Sequence, residues 1–237
     1  MTLEYLHSRY LHRIAMLLRV CLASCIVLTA LSSCSNFHST GVSQPLTNLE
    51  SRVALLSLTG DYGRISTPFI DDYLEYLRSR LSSTLNGNQT FSLILLDTHT
   101  PLALSSSSGL TAFSKGLVLS LHSEAELAFV LAHELAHHDL SHFDRSIGEH
   151  SPSARQKMEF EADSHALRIM SSAGYNPESA REVLTRTRGF YEDSQFYPAV
   201  EERIENIRLQ LTQSPPRVSG TVDRRDFQKL RHILREM

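Results

Sequence analysis

The chain has 237 residues, of which 41% are hydrophobic and 21% charged, with a formal net charge of −3. That is enough sequence to bury one substantial core. The mild acidity and the lack of any Lys/Arg run argue against nucleic-acid binding.

Residues 1–33 read as a targeting segment rather than as fold. Arg9, Arg13 and Arg19 precede an apolar run, Val20 to Leu31, which is short for a bilayer span. The run ends Leu31-Ser32-Ser33-Cys34, which resembles the lipobox of bacterial lipoproteins, whose Cys is lipidated and becomes the new N-terminus. An ordinary signal peptide and an uncleaved anchor are the competing readings, and Met16 is an alternative start. Cys21 and Cys25 fall inside this segment, so a mature chain keeps Cys34 and no disulfide. Ser35 stands where an Asp would signal inner-membrane retention. The expected place is therefore the cell envelope, anchored by lipid at the periplasmic face of the outer membrane. Residues 34–48 are polar and form a tether, 49–214 a folded domain and 215–237 a tail.

Within the domain, Leu49 to Leu58 suggests a short helix. Pro68 to Leu85 carries Ile70, Tyr73, Leu74, Leu77, Leu81 and Leu85 at helical spacing and stops at Asn86-Gly87-Asn88. The sequon Asn88-Gln89-Thr90 is taken as chance. Phe91 to Asp97, Pro101 to Leu104 and Leu110 to Leu121 read as strands. The fold class expected is α+β, mostly helical, with a small β-sheet before the next helix.

That helix is Ser123 to His142, with a capping box of Ser123 and Glu126. It contains His133-Glu134-Leu135-Ala136-His137, an H-E-x-x-H match. Residues four apart share a helix face, so His133 and His137 can aim ring nitrogens at one metal ion, with Glu134 beside a water on that ion. Two solvated or core-packed imidazoles are the bland alternative. Ser153 to Ser172 is a second helix, and it places Glu159 and Asp163 on one face. A His-His-Glu set with one position left open is the catalytic pattern for zinc. Asp163 is placed to accept the second ring N–H of a liganding His. A solvated acidic face is the alternative for Glu159, Glu161 and Asp163.

Ser123-Glu124-Ala125-Glu126-Leu127-Ala128 running into H-E-x-x-H, and then Glu159-x-x-x-Asp163, together resemble the HtpX and CAAX-prenyl-protease type of zinc metallopeptidases, family 48. Ala173-Gly174-Tyr175-Asn176-Pro177 and Pro198 with Glu201-Glu202-Arg203-Ile204 extend the similarity over roughly Phe69 to Leu211. The resemblance implies a zincin-like domain with one Zn2+ held by His133, His137 and Glu159, and Glu134 as general base. It is most similar to the small periplasmic lipoprotein branch. That implies an endopeptidase for misfolded or misassembled envelope proteins, with envelope assembly machinery as a further partner. Two positions depart from the family. Its Asn-Ala-Phe-Ala segment reads Leu102-Ala103-Leu104-Ser105 here, and the His of its Thr-His-Pro segment is Tyr197, a phenol able to donate to an oxyanion or simply to pack. These changes support the rival reading, a catalytically weak zinc-bound chaperone or assembly module.

Asn176-Pro177 starts a helix to about Thr187, and Pro198 another to about Thr212. Phe227 to Met237 reads as a short basic helix that packs on the domain, covers a cleft or meets a partner.

Overall fold

The computed structural model describes residues 60, 62–83, 85, 91–106, 109–143, 151–187, 198–213 and 225–237. All of these lie in one compact unit, Gln44–Met237. The targeting segment, Cys34, the tether, Leu49 to Leu58, the Asn88 sequon and Tyr197 lie outside the described residues.

Strand β1 (Arg64–Ile65) leads into helix α1 (Pro68–Ser82). Thr67 caps α1 by accepting from the Ile70 N–H, and Pro68 at the first turn gives up no needed donor. Ile70, Tyr73, Leu74, Leu77 and Leu81 of the expected stripe are the buried face, while the helix ends at Ser82, before Leu85, which is half-buried. Three strands follow: β2 (Ser92–Leu96), β3 (Ala103–Ser105) and β4 (Leu110–Ser114). The sheet order is β1-β2-β4-β3. β2 and β4 run parallel with Leu95 opposite Phe113, while β3 pairs antiparallel with β4 and forms one edge.

The expected strand from Leu110 to Leu121 is cut short. It ends at Ser114, and helix α2 (Lys115–Ser120) takes over. Ser114 causes the switch, because its hydroxyl accepts the Leu117 N–H as an N-cap. Gly116 permits it: its N–H bonds the Thr98 carbonyl at 3.0 Å, and an added Cβ would stand 2.1 Å from the His99 oxygen. An apolar run this short has no period that separates strand from helix.

Helix α3 (Glu124–Asp139) is the central element. Ser123 accepts the Glu126 N–H, but Glu126 reaches past the cap and takes the His122 N–H at 2.9 Å. The capping box is thus displaced by one residue. The helix stops at Asp139, short of the expected His142, and Ser141 beyond it adopts a left-handed φ of 53°. α3 packs on β3, β4, α1, helix α4 (Pro152–Ser172) and helix α5 (Ser179–Thr187). The small residues Ala132 and Ala136 on α3, and Ala162 and Ala166 on α4, are fully buried. Small side chains at a contact let helix axes approach closely, which brings short polar side chains from both helices within reach of one another.

Helix α6 (Val200–Gln213) packs on α4 and α5. Helix α7 (Arg225–Glu236) buries Phe227, Leu230 and Leu234 and packs on α2. Of the three fates open to the tail helix, packing on the domain is the one observed. The architecture is mostly helical α+β, zincin-like, with a small mixed sheet ahead of the central helix, as expected.

Candidate metal centre and active site

One turn of α3 sets His133 and His137 on the face turned towards α4, and α4 returns Glu159 to the same point. His133 Nε2 lies 3.1 Å from His137 Nε2 and 3.2 Å from a Glu159 oxygen. The other Glu159 oxygen lies 3.5 Å from His137 Nε2. Among the described residues, this is the cluster of three such side chains set to hold a cation. Ligands about 2.0–2.1 Å from a tetrahedral zinc stand about 3.3 Å apart, so the triangle has the right size. The side chains keep 11–15% of their surface exposed, so the centre is reached from outside rather than sealed.

The charges around it are arranged with equal economy. His133 Nδ1 lies 3.0 Å from Asp163 Oδ1. Asp163 is fully buried and receives a two-pronged pair from Arg203, Nε at 2.8 Å and Nη2 at 2.7 Å. Burial works to raise the Asp163 carboxyl, but the Arg203 charge and hydrogen bonds outweigh it and hold it down to about 2. Burial likewise opposes a charge on His133, yet Asp163 and Glu159 on either side raise its imidazole well above the usual range. His137 is pushed the other way, first by burial and then by His133. The pocket therefore favours one positive charge at the point where three lone pairs meet, as a proton or as a metal ion.

Glu134 faces the edge strand. The Ser105 hydroxyl of β3 donates to its Oε2 at 2.6 Å. Burial pushes the Glu134 carboxyl up, opposed by the His133 charge and the Ser105 hydrogen bond. It is thus a carboxylate made more basic than in water and held in one orientation beside the cluster.

Two family models match this chain: Peptidase family M48 over residues 82–154 and Peptidase U49 over residues 121–217. Both spans include the H-E-x-x-H segment, and the second includes Glu159, Asp163 and Arg203. Over these spans the chain is similar to both peptidase families. A curated relative is "Putative beta-barrel assembly-enhancing protease" of Vibrio cholerae serotype O1, 25% identical over 199 residues. The match covers 64% of this chain, which spans 41% of the relative's length.

The structure brings together His133, His137, Glu159, Glu134 and Asp163. Tyr197 and Cys34 lie outside the described residues. Three further side chains at the site went unassigned in the sequence. Arg203 lies on the apolar stripe of α6 with Val200, Ile207 and Leu211, and a cation at a core position was its signal. His142 follows the end of α3 and stacks its ring edge against His137. Ser105 gave no signal, since only the fold sets it against Glu134. The departure at Leu102 is also explained locally. Its side chain is buried, and its N–H bonds the Ser114 hydroxyl at 3.1 Å.

Proposed function

We propose that this protein is a zinc-dependent endopeptidase in which His133, His137 and Glu159 hold the metal and Glu134 is the general base. The observation that carries the reading is the convergence of two imidazole nitrogens and a carboxylate, 3.1–3.5 Å apart, at an accessible point beside a basic carboxylate. Zinc bound there supplies Lewis acidity, which acidifies a water and polarises a scissile carbonyl. Glu134 takes the proton of the attacking water and delivers it to the leaving amine nitrogen. Asp163, anchored by Arg203, fixes the His133 ring so that Nε2 faces the metal. Edge strand β3 lies beside Glu134, and its outer edge, unpaired among the described residues, suits an extended peptide, a mode that binds main chain with little demand on sequence. Tyr197 is assigned as a donor to the developing oxyanion.

The substrates proposed are unfolded or misassembled envelope proteins, reached from a lipid anchor on Cys34 at the periplasmic face of the outer membrane. Support comes from the lipobox-like Leu31-Ser32-Ser33-Cys34 and from the printed name of the Vibrio relative. The second reading, a zinc-bound chaperone or assembly module with weak catalysis, is favoured by Leu102, which presents no polar group at its position. Cleavage of an unfolded protein decides between the two. Hydrolysis that is lost with chelator, restored by zinc and reduced at least 100-fold in Glu134→Gln with zinc retained is the result expected. Equal cleavage by wild type and Glu134→Gln removes the general-base assignment.

A further inference from the structure

His133 has a carboxylate behind it; among the described residues, His137 has none at its outer nitrogen. Its outer nitrogen, Nδ1, instead meets His142 Nδ1 at 2.9 Å. The far nitrogen of His142, Nε2, lies 3.3 Å from a Glu161 oxygen on α4. The His142 side chain is only 2% exposed, and its main-chain N–H is tied to the His137 carbonyl at 3.0 Å. Ser141, in its left-handed conformation, is the residue that turns the chain back so that this ring faces α3.

The hydrogen bond between His142 and His137 takes its direction from the carboxylate beyond it. Glu161 approaches His142 Nε2 at 3.3 Å without the alignment of a hydrogen bond, and its charge favours a proton on that nitrogen. A neutral imidazole with its proton there has a lone pair on Nδ1, which accepts the proton on His137 Nδ1. His137 is then left with its lone pair on Nε2, the nitrogen directed at His133 and Glu159. We propose that His142, oriented by Glu161, is the positioning residue that sets the tautomer of His137 and so readies it as a metal ligand. The inference rests on the metal-site reading above. It makes the two imidazoles unequal, with His133 backed by a charged carboxylate and His137 by a neutral ring.

Zinc binding to the full chain tests it, with wild type, His142→Leu and His142→Asn compared by competition against a chromophoric chelator. Loss of an outer partner weakens metal binding by roughly 10–100-fold, and that loss is expected for His142→Leu. His142→Asn keeps an acceptor near the same place and is expected to bind within about threefold of wild type by that logic. Nitrogen-15 NMR of zinc-loaded wild type, which needs no variant to fold, is expected to show the His137 proton on Nδ1. Wild-type affinity in His142→Leu, loss in His142→Asn equal to that in His142→Leu, or a His137 proton on Nε2 would each overturn the proposal. A wild type that binds no zinc overturns the metal-site reading itself, a result distinct from equal binding by wild type and His142→Leu.

Discussion

Asp163 is buried without exposure and takes a two-pronged pair from a cation on another helix, Arg203 of α6. Removing one partner of such a pair strands the other charge in the interior, at a cost of about 3–5 kcal/mol. Arg203→Met is therefore expected to lower stability by about that amount, measured by urea unfolding. Asp163→Asn leaves the buried Arg203 with Glu159 at 3.7 Å, and it is expected to bind zinc roughly 10–100-fold more weakly than wild type. Unchanged zinc affinity in Asp163→Asn would mean that the carboxylate serves the fold alone. The ligands were legible in the sequence because helical spacing places positions four apart on one face. Arg203 was visible as part of a resemblance, but its role was not. Its partner lies 40 positions away, and no local pattern joins them.

At the scale of elements, the turn from β4 into α2 is held by close approach. Gly116→Ala would press a methyl into the His99 carbonyl at 2.1 Å, where a main-chain atom has little freedom to yield. A loss of about 1–3 kcal/mol is expected, read as a fall in the urea midpoint. The start of α3 has a different anchor. Glu124 is fully buried and accepts hydroxyl protons from Tyr73 of α1 at 3.0 Å and from Tyr175 at 2.8 Å. Burial, and next the Glu124 charge, push both tyrosine pKa values up. A raised folded-state value means the contribution is complete below the unfolded value of about 10 and is lost as pH rises above it. The stability gap between wild type and the Tyr73→Phe/Tyr175→Phe variant is thus expected to narrow above about pH 10, by up to roughly 1.4 kcal/mol per pH unit for each tyrosine. A gap that stays constant from pH 9 to 11 would show that the two phenols ionise as freely in the folded protein. The helices were legible as elements because their stripes and caps are local. The strand read through Lys115 to Leu121 was not, because a short apolar run hides the Ser114 cap and the close contacts at Gly116 come from Thr98 and His99.

Among the described residues, a central helix is wedged between an edge strand and three helices, and the candidate site sits where those layers meet. The order of elements and the mostly helical α+β class follow from periodicity and punctuation along the chain. The meeting of α3 with α4 does not: the small side chains Ala132, Ala136, Ala162 and Ala166 are fully buried, but nothing in local spacing pairs the two helices. A cation held across that contact ties the two helices together, so zinc is expected to stabilise the fold by about 2.7 kcal/mol at a hundred times its Kd. Chelation should lower Tm correspondingly, and a Tm indifferent to zinc and chelator would argue against a site spanning α3 and α4. The most direct measurement is zinc stoichiometry on purified wild type, Glu134→Gln and Glu159→Ala side by side. One equivalent in the first two and loss of tight binding in Glu159→Ala is the result predicted. A wild type without bound zinc, or a Glu159→Ala protein that holds it as tightly, would contradict the account.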